Sequence, residues 1–416
     1  MIGIQSWTRQ KLKHLCTRFA DYGANESADS YVDEGVRFLR TTDIDELGKL
    51  TPQWDGVFLP EDKAAEYRLK DGDLLLSRSG TIGRSFVYES ATHGPCAYAG
   101  YLVRFRLRRG VDPFFVFYWT KSKGFQDQVA AEAIQSTIQN FNGQKFASMA
   151  FCLPPAGAQH QIANFLDQKT AAVDDLIRKK ERLIELLQEK RQALITTTIF
   201  GQDACADPDL SRLATTPPTG WKVAPVWCHF RFVKEQGFPS LPLLSVYRDH
   251  GVVPKDSRDD NHNRAGEDLG VYQRVLEGDV VINKMKAWQG SVAVSKLTGI
   301  VSPDYQVLRP VSRLFLPDFL HFLLRSAPYI AEYARRAYGI RPDQWRLMFE
   351  ELRGIPLLVP EMEAQYRIAD KIQQALSSEK HATDLLLKQT ELLREYRQAL
   401  ITAAVTGQLD IPAEAA

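Results

Sequence analysis

The sequence predicts an α+β protein with an internal duplication: two α/β domains joined by two long helices that pair as an antiparallel coiled coil. Two observations predict this fold class. A stretch of about forty residues with helical periodicity occurs twice in the 416-residue chain, at a constant offset of 206 positions. The same offset relates short motifs inside the regions between the helices. Because this period is far longer than a solenoid repeat, each unit is a whole domain followed by a helix.

The helical repeat carries the duplication most clearly. Gln159 corresponds to Gln365, and the hexapeptide Arg-Gln-Ala-Leu-Ile-Thr occurs at residues 191–196 and again at residues 397–402. The offset holds without a gap over some fifty residues. Chance matching does not produce such a run, so we infer a duplicated and pseudo-twofold molecule.

The composition is ordinary for a globular protein. The chain is 44% hydrophobic and 25% charged, with a net charge of +1, which neither indicates nor excludes nucleic acid as a ligand. Its five cysteines lack C-x-x-C spacing, which favours a reducing compartment without structural zinc. Residues 1–10 lack the apolar core of a signal peptide, and no apolar run reaches the ~18 residues of a membrane span. We therefore expect a cytoplasmic protein.

Strand and helix patterns alternate in the first domain. Residues 36–40 alternate apolar and basic side chains and predict a half-buried strand, whereas residues 74–76 are all leucine and predict a buried one. Residues 101–108 alternate as well and predict a solvated basic face, with phosphate contact as the alternative; its members are Arg104, Arg106 and Arg108. A helical segment begins at Pro113 and continues past Phe125.

The two long helices are predicted from about Ala158 to Ile199 and from about Ala364 to Val405, with Gly201 as the C-cap of the first. Bulky positions of one helix correspond to small or polar positions of the other, so we predict that the two helices pair with each other. The seven-residue rhythm of the first helix predicts a seam at Leu166, Val173, Lys180, Leu187 and Leu194, and a second set offset by three at Lys169, Leu176, Leu183 and Lys190.

These patterns divide the chain into six segments. We predict a first domain, a central helical region, a linker rich in Ala, Pro, Asp and Thr, a second domain, a C-terminal helical region and a tail; their bounds are residues 1–153, 154–202, 203–220, 221–358, 359–408 and 409–416. Two different domains held at a set separation suit a ligand with two different marks at a set spacing. Duplex DNA is the obvious candidate, because half-site spacing and protein symmetry correspond there.

The repeated motif resembles a known family. Pro-Pro-x-x-x-Gln-x-x-Ile-Ala occurs at residues 154–163, its partner lies at residues 360–369, and a long helix ending in Arg-Gln-Ala-Leu-Ile-Thr and Gly follows each. This arrangement resembles the specificity (S) subunit of type I restriction–modification enzymes over nearly the whole chain. Shorter marks agree, namely residues 37–44, 72–77, 250–254 and 301–305.

The resemblance implies two target-recognition domains, each binding one half of a bipartite, asymmetric sequence in double-stranded DNA. The helical regions would separate these domains and dock two adenine methyltransferase (M) subunits, and nuclease/translocase (R) subunits would join to complete the enzyme. This chain would bind no cofactor itself. S-adenosylmethionine would belong to the M subunit, and ATP and Mg²⁺ to the R subunit.

Two polar stretches in each domain are candidates for DNA contact. One follows each Gly-Asp strand and the other precedes each helical motif, and their residue types suit phosphates and base edges. The alternatives are a solvated loop for the first stretch and a plain domain-to-helix connection for the second. The candidate DNA-binding residues are Arg78, Ser79, Thr81, Gln139, Asn140, Lys145, Lys284, Lys286, Trp288, Arg341, Gln344 and Arg346.

The repeated helical motif supplies the candidate docking residues for the M subunits, as the resemblance implies. They are Gln159, Ile162, Arg191, Gln365, Ile368 and Arg397.

Other conspicuous residues favour plainer interpretations. Tyr98, Tyr101 and Tyr305 lie on or beside strands and are predicted to be core residues, with base stacking as the alternative. His262, in a polar loop, is predicted to be a surface residue and not a metal ligand.

The sequence contains no phosphate-binding G-x-x-x-x-G-K-[ST] loop, no Asn- or Asp-Pro-Pro-aromatic tetrapeptide and no His/Cys cluster with zinc spacing. We therefore predict a non-catalytic DNA-recognition subunit without a metal. The alternative is a coiled-coil scaffold with two protein-binding domains, and an unrecognised enzyme is disfavoured.

Overall fold

The computed structural model describes residues 6–134, 141–247, 251–257, 266, 268–341 and 344–411. The chain forms two compact units, and each long helix is divided between them. Unit 1 comprises Met1–Glu181 and Lys388–Ala416, and unit 2 comprises Arg182–Leu387.

In the described part of unit 1, a domain of nine strands and five short α-helices is followed by a long helix that continues into unit 2. The strands are β1 Thr8–Lys11, β2 Cys16–Tyr22, β3 Val36–Leu39, β4 Val57–Leu59, β5 Asp73–Ser77, β6 Ser85–Val87, β7 Cys96–Tyr98, β8 Leu102–Leu107 and β9 Ala150–Leu153. The helices are α1 Glu61–Ala64, α2 Ser90–His93, α3 Pro113–Lys121, α4 Lys123–Ile134, α5 Gly143–Ser148 and the long α6 Ala156–Phe200.

Unit 2 repeats this plan between the two long helices. Its strands are β10 Lys222–Pro225, β11 Phe230–Val233, β12 Leu244–Tyr247, β13 Gly251–Pro254, β14 Gln273–Val275, β15 Val280–Asn283, β16 Val292–Val294, β17 Gly299–Val301, β18 Tyr305–Pro310 and β19 Pro356–Val359. Its helices are α7 Asp203–Ala206, α8 Leu210–Thr215, α9 Val226–His229, α10 Pro317–Leu323, α11 Ala327–Arg336, α12 Phe349–Leu352 and the long α13 Met362–Val405.

The sheets confirm the predicted fold class and its duplication. Unit 1 has an antiparallel sheet in the order β2-β8-β5-β6, and unit 2 has its counterpart in the order β11-β18-β15-β16. In both, the outer pair β1-β9 or β10-β19 leads into a long helix. Unit 1 adds a sheet in the order β4-β3-β7, and unit 2 instead has the separate pairs β12-β13 and β14-β17. The two domains therefore share a central sheet and differ around it.

Each unit has a core that includes parts of both long helices. In unit 1, Leu166 of α6 and Ile401 of α13 belong to one buried cluster with Phe115 of α3. In unit 2, Ile199 of α6 and Ile372 of α13 are buried together with the central sheet. Each domain is thus packed against the start of one long helix and the end of the other.

The two long helices run antiparallel within unit 1. Asp174 of α6 pairs with Arg397 of α13 at 2.8 Å, and further along α6 the Lys180 ammonium donates to Gln389 at 2.6 Å. Residues later in α6 therefore contact residues earlier in α13, which confirms the predicted antiparallel pairing.

The predicted seam is only half correct. The first set begins at Leu166, which is fully buried, but Leu176 and Leu183 of the second set are 42% and 45% exposed. Positions offset by four, such as Thr170 and Ile177, are buried or half-buried instead. The second set of seam positions is therefore wrong by one residue, a rotation of about 100° around the helix axis.

Three expectations about the first domain can be compared directly with its strands and helices. The buried strand at residues 74–76 is confirmed, and the helical segment after Pro113 is present as α3 and α4. The strand β3, predicted as half-buried, is buried on both faces. Its Arg37 guanidinium lies inside and donates to the Thr51 carbonyl at 2.6 Å, so hydrogen bonding compensates the buried charge.

The predicted basic face on β8 is wrong for two of its three arginines. Arg104 is only 4% exposed and pairs with Asp21 at 2.8 Å, and Arg106 pairs with the fully buried Asp73 at 2.7 Å. Arg108 alone is exposed. Alternation along a strand predicts which side chains share a face but not what packs on that face. Here carboxylates from the neighbouring strands β2 and β5 pair with the arginines.

The segment between the long helix and the second domain is more ordered than its composition suggested. Residues 203–220 contain α7 and α8, and their side chains Ala204 and Leu210 are 1% and 2% exposed. Both helices pack against α11 of the same unit. Gly201, which precedes them, has φ +86°, the left-handed conformation expected after a helix end.

Candidate nucleic-acid interface

A buried aspartate fixes the central strand in both units. Asp73 accepts from Arg106 at 2.8 and 2.7 Å, and Asp279 accepts from Arg309 at 3.1 and 3.0 Å. Each carboxylate also accepts the N–H of the residue three positions earlier, at 2.9 Å in both cases. Hydrogen bonding to the carboxylate raises the pKa of both arginines. The same buried Asp–Arg pair and backbone hydrogen bond therefore fix β5 in unit 1 and β15 in unit 2.

In unit 1 the central strand ends in a tight turn. The Ser77 hydroxyl donates to the Thr81 carbonyl and accepts the Arg84 N–H at 2.9 Å. Gly80 has φ +68°, a conformation that side chains rarely adopt. Ser79 is half-buried and Thr81 is exposed, so the turn presents hydroxyl groups at the edge of the domain.

Arg78 is held by an aromatic ring and not by an acid. Its guanidinium lies 4.8 Å from the centroid of the Tyr22 ring. The Tyr22 hydroxyl donates to the Asn142 side chain and accepts the Gly143 N–H, both at 3.1 Å. Among the described residues, no carboxylate pairs with Arg78, so its charge is oriented and available to an anion.

A cleft of about 890 Å³ adjoins this turn in unit 1. Its wall includes Ser79, Thr81, Thr41 and the ring of Tyr101, whose side chain is 63% exposed. The predicted core role is therefore wrong for Tyr101, although Tyr98 is 1% exposed, as predicted, and Tyr305 is half-buried. The Tyr101 carbonyl accepts the Arg78 N–H at 3.0 Å, which places the exposed ring beside the turn.

Unit 2 offers different groups at the corresponding position. The Lys284 ammonium donates to the Pro303 carbonyl at 2.7 Å, and Lys286 is exposed. The Trp288 indole donates to the Met285 carbonyl at 3.0 Å and meets the Trp345 ring edge-on, at 5.4 Å between centroids. A lysine pair beside two tryptophans thus replaces the arginine, tyrosine and hydroxyl groups of unit 1.

Each unit brings its two candidate stretches together. The Phe141 N–H donates to the Arg78 carbonyl at 2.8 Å, and the Leu347 N–H donates to the Lys284 carbonyl at 2.9 Å. Both members of the second pair lie 206 positions after those of the first. The two stretches are separate candidates in the sequence, but they form one surface in each unit.

In the second stretch of unit 2, the described residues 337–341 and 344–346 are exposed or half-buried. Tyr338 and Arg346 exchange backbone hydrogen bonds at 3.1 and 2.9 Å. Arg341, Gln344 and Arg346 are all exposed. Ile340 is not among the predicted DNA-binding residues, yet its side chain is 95% exposed. Its place as an apolar residue in a polar run is the signal that the sequence offers for it.

Three other candidates in unit 1 have a different outcome. Lys145 pairs with Glu132 at 3.1 Å and lies 5.5 Å from the Phe141 ring centroid, so its charge is already partnered inside the domain. Gln139 and Asn140 lie outside the described residues, and so does His262 of unit 2. Direct DNA contact by these side chains stays a prediction.

Comparisons with known proteins agree on one family. The model of the type I restriction modification DNA specificity domain matches residues 7–186. The specificity subunit of the type I restriction enzyme StySPI from Salmonella potsdam is 22% identical, with 97% of this chain and 89% of that protein aligned. That of EcoKI from Escherichia coli K12 is 20% identical, over 92% and 85%. Residues 7–186 therefore carry this specificity domain, and nearly the whole chain is similar to specificity subunits of type I restriction enzymes.

Solved structures support the same fold. A chain from a structure concerned with complex assembly and conformational transition of the type I R-M system matches this chain with a TM-score of 0.62 and 16% identity. The match covers 97% of this chain and 98% of that one. The shared architecture is therefore present over almost the whole length of both chains.

The two glutamines predicted to dock the M subunits are buried. Gln159 is 2% exposed, accepts the Asp112 N–H at 2.8 Å and donates to the Pro154 carbonyl at 2.8 Å. Gln365 is 1% exposed and accepts the Leu316 N–H at 2.8 Å in the same way. Both side chains join a helix start to its own domain, and docking through them stays a prediction.

The other candidate docking residues also have contacts inside the chain. Ile162 is 1% exposed in the core, and Ile368 packs half-buried against the core of unit 2. Arg397 pairs with Asp174 as described above. Arg191 is half-buried and lies near Glu379; burial raises the pKa of that carboxyl, and the Arg191 charge opposes the shift.

The repeated hexapeptide makes the same contacts at both of its copies. In unit 1, Gln398 donates to the Lys121 carbonyl at 2.7 Å, and Thr402 accepts the Lys123 N–H at 3.0 Å. In unit 2, Gln192 donates to the Arg325 carbonyl at 2.7 Å, and Thr196 accepts the Ala327 N–H at 2.9 Å. In both units the two bonded domain residues are therefore two positions apart. We call each pair of hydrogen bonds a helix-end latch, because it fastens the end of a long helix to a domain.

Both long helices also expose large apolar side chains. On unit 1 these are Leu176, Leu392 and Tyr396, and on unit 2 they are Leu183, Leu186, Met362, Tyr366, Leu385 and Leu387. Their exposed fractions run from 39% to 57%. Exposed apolar positions of this kind are typical of surfaces that bind another protein.

Within the described ranges, no group of three or more His, Cys, Asp or Glu side chains is arranged to hold a metal ion. Among the same residues, the helices are too polar or too short to cross a bilayer.

Proposed function

We propose that this chain is the DNA-binding subunit of a type I restriction–modification enzyme and that it recognises a bipartite, asymmetric target, with one half bound by each unit. The observation that supports this proposal is the equivalence of Arg78 and Lys284. Each follows the central strand, and each accepts a backbone N–H from the second polar stretch at the same 206-residue offset. The same surface therefore exists twice with different chemistry.

The side chains on these surfaces suit direct contacts with DNA. Arg78 in unit 1 and Arg341 in unit 2 can bind guanine edges or phosphates, and Gln344 can pair with adenine. Ser79 and Thr81 suit phosphate oxygens. Because unit 1 presents arginine, hydroxyls and Tyr101 where unit 2 presents lysines and tryptophans, we expect the two half-sites to differ in sequence.

We further propose that the long helices set the spacing between the half-sites and dock two methyltransferase subunits, and that restriction subunits join this complex in the cytoplasm. S-adenosylmethionine would then be bound by the methyltransferase, and ATP and Mg²⁺ by the restriction subunit, so this chain needs no cofactor or catalytic residue. The exposed apolar side chains of the helices are better placed for docking than the buried glutamines.

The docking proposal predicts the effect of one double substitution. Leu392→Gln with Tyr396→Gln removes two exposed apolar contacts from unit 1 without altering its core. Loss of buried apolar contacts at an interface core typically costs ~2 kcal/mol or more per important side chain, so the variant should co-purify with far less methyltransferase subunit. Gln188→Ala, at an exposed polar position of α6, is the matched control. Equal co-purification of the variant and the control would refute docking at this surface.

DNA binding itself is tested by salt dependence. Phosphate contacts release counterions, so affinity for duplex DNA should fall steeply between low and moderate salt. Arg78→Ala and Lys284→Ala should each weaken target binding by ~1–3 kcal/mol and, where phosphate contact is lost, lower the salt slope by about one. Lys388→Ala, an exposed lysine on α13, is the control.

The alternative function, a coiled-coil scaffold with two protein-binding domains, makes the opposite prediction. Affinity for duplex DNA would be weak and indifferent to salt, and neither substitution would change it. That result in fluorescence titrations of the full-length chain would overturn the proposed function.

A further inference from the structure

One apolar side chain of unit 2 is almost wholly exposed. Ile340 has 95% of its surface accessible, more than any other large hydrophobic side chain in the part of the chain that the structure describes. The nearby Tyr338 is 57% exposed. Single exposed aliphatic residues are common on protein surfaces, so the surroundings of Ile340 must indicate whether it has a role.

The backbone holds Ile340 in place. Tyr338 and Arg346 exchange two hydrogen bonds at 3.1 and 2.9 Å, and the Gln344 N–H donates to the Arg341 carbonyl at 2.9 Å. These bonds tie described residues before and after the isoleucine to each other. An apolar side chain between such tied backbone positions loses little conformational freedom when it enters a binding partner.

The groups around Ile340 are those that bind nucleic acid. Arg341, Gln344 and Arg346 are exposed, and neither arginine forms an ion pair with another described residue. Lys286 is exposed on the adjoining stretch. Proteins that bend DNA combine such cations and amides with an apolar wedge, often isoleucine or leucine, that enters between base pairs. The charge of this surface therefore favours a polyanion as its partner.

We propose that Ile340 inserts between two adjacent base pairs of the half-site bound by unit 2, unstacks them and bends the duplex. This inference rests on the proposed DNA-binding function and adds a mode of binding to it. Arg341 and Arg346 hold the neighbouring phosphates, and Gln344 contacts a base edge. Specificity at the wedged step then comes from how easily that step deforms, without a contact to its base edges.

The test uses the full-length chain with its methyltransferase partner and a duplex that carries the target mapped by methylation. Fluorescence energy transfer between the duplex ends measures bending, and permanganate reactivity of thymines measures unstacking. Ile340→Ala removes the wedge, and Ile340→Leu keeps an apolar side chain of the same size. Val311→Ala is the matched control, because Val311 is an aliphatic residue of unit 2 that is 47% exposed.

We expect the wild-type chain, Ile340→Leu and Val311→Ala to bend the target and to expose the same thymines. Ile340→Ala should lose the bend and the thymine reactivity in the half-site of unit 2, and should bind the target about tenfold more weakly but unrelated duplex equally well. A straight target in the wild-type complex, or an unchanged bend and reactivity with Ile340→Ala at saturation, would overturn the wedge. Absence of any target binding by the wild-type chain would overturn the proposed function instead.

Discussion

Gln159 and Gln365 occupy equivalent places at the starts of the long helices, and each amide bonds to a backbone N–H and a backbone carbonyl of its own unit. A buried amide left without these partners is costly, which accounts for a glutamine at both positions without any external partner. The sequence revealed the repeat because identical residues recur. It could not reveal the contacts, because the bonded residues of Gln159 include Asp112, 47 positions away.

The arginines of β8 show the same limit at the residue scale. Their alternation was visible in the sequence, but Asp21 lies 83 positions before Arg104, and Asp73 lies 33 positions before Arg106. Only the sheet order brings these carboxylates beside the guanidinium groups. Local periodicity therefore predicted the strand correctly and its exposure wrongly.

Lys121 provides a prediction at this scale. Its ammonium is buried, lies 5.0 Å from the Phe117 ring centroid and donates to the Glu46 carbonyl at 2.8 Å. Burial, together with the smaller effect of the nearby Arg397 charge, lowers the pKa of Lys121 from 10.5 to about 7. Between these two values the unfolded chain keeps a proton that the folded chain releases, so this residue makes stability rise with pH from about 7 to 10.5.

Lys121→Met should remove that pH dependence. The methionine fills a similar volume and carries no charge, so we expect it to stabilise the protein at pH 7 and to lose most of that advantage at pH 10. Urea unfolding of both chains at the two pH values measures the difference. A stability difference that is the same at both pH values would contradict the account of Lys121.

At the scale of elements, the sequence predicts the long helices within two residues of their ends, because about forty residues of continuous periodicity lie between a proline and a glycine in each copy. The phase of the second seam was not predicted. Leucines at 176 and 183 looked like seam positions, yet the isoleucines at 177 and 184 are less exposed. Because hydrophobic residues occupy both of these neighbouring positions, which of them faces the other helix depends on the surface of that helix. The local sequence does not contain this information.

The helix-end latch leads to a prediction for α13. Gln398→Ala with Thr402→Val removes both hydrogen bonds that join its end to the α3–α4 junction in unit 1. Two lost hydrogen bonds should weaken the local attachment by ~1–3 kcal/mol. Hydrogen exchange over residues 395–411 should therefore become faster, while exchange in unit 2 stays unchanged.

Lys388→Ala, an exposed position on the same helix, serves as the control for this measurement. Exchange over residues 395–411 that is equal in the latch variant and in the control would show that core packing alone holds the helix end. The corresponding contacts of Gln192 and Thr196 allow the same experiment to be repeated in unit 2.

At the scale of the whole molecule, duplication supplies two versions of one surface on a single chain. The central sheets keep their strand order and the buried Asp–Arg pair, while the groups presented beyond the strand ends differ. The repeat predicted this organisation, since an offset of 206 positions relates both the helices and the strand motifs. Side-chain placement at the surface could not be predicted, because it depends on contacts between stretches some sixty positions apart, such as Arg78 with Phe141.

The most direct test of the central claim is a methylome. The wild-type chain, Arg78→Ala and Lys284→Ala are each expressed with the methyltransferase subunit encoded beside the chain, in a host without adenine methylation, and modified adenines are mapped by single-molecule sequencing. We predict a split, asymmetric motif with a fixed gap for the wild type, with one half relaxed by Arg78→Ala and the other half by Lys284→Ala. A continuous motif, relaxation of the same half by both substitutions, or no new methylation from an intact complex would contradict recognition of two half-sites by two units.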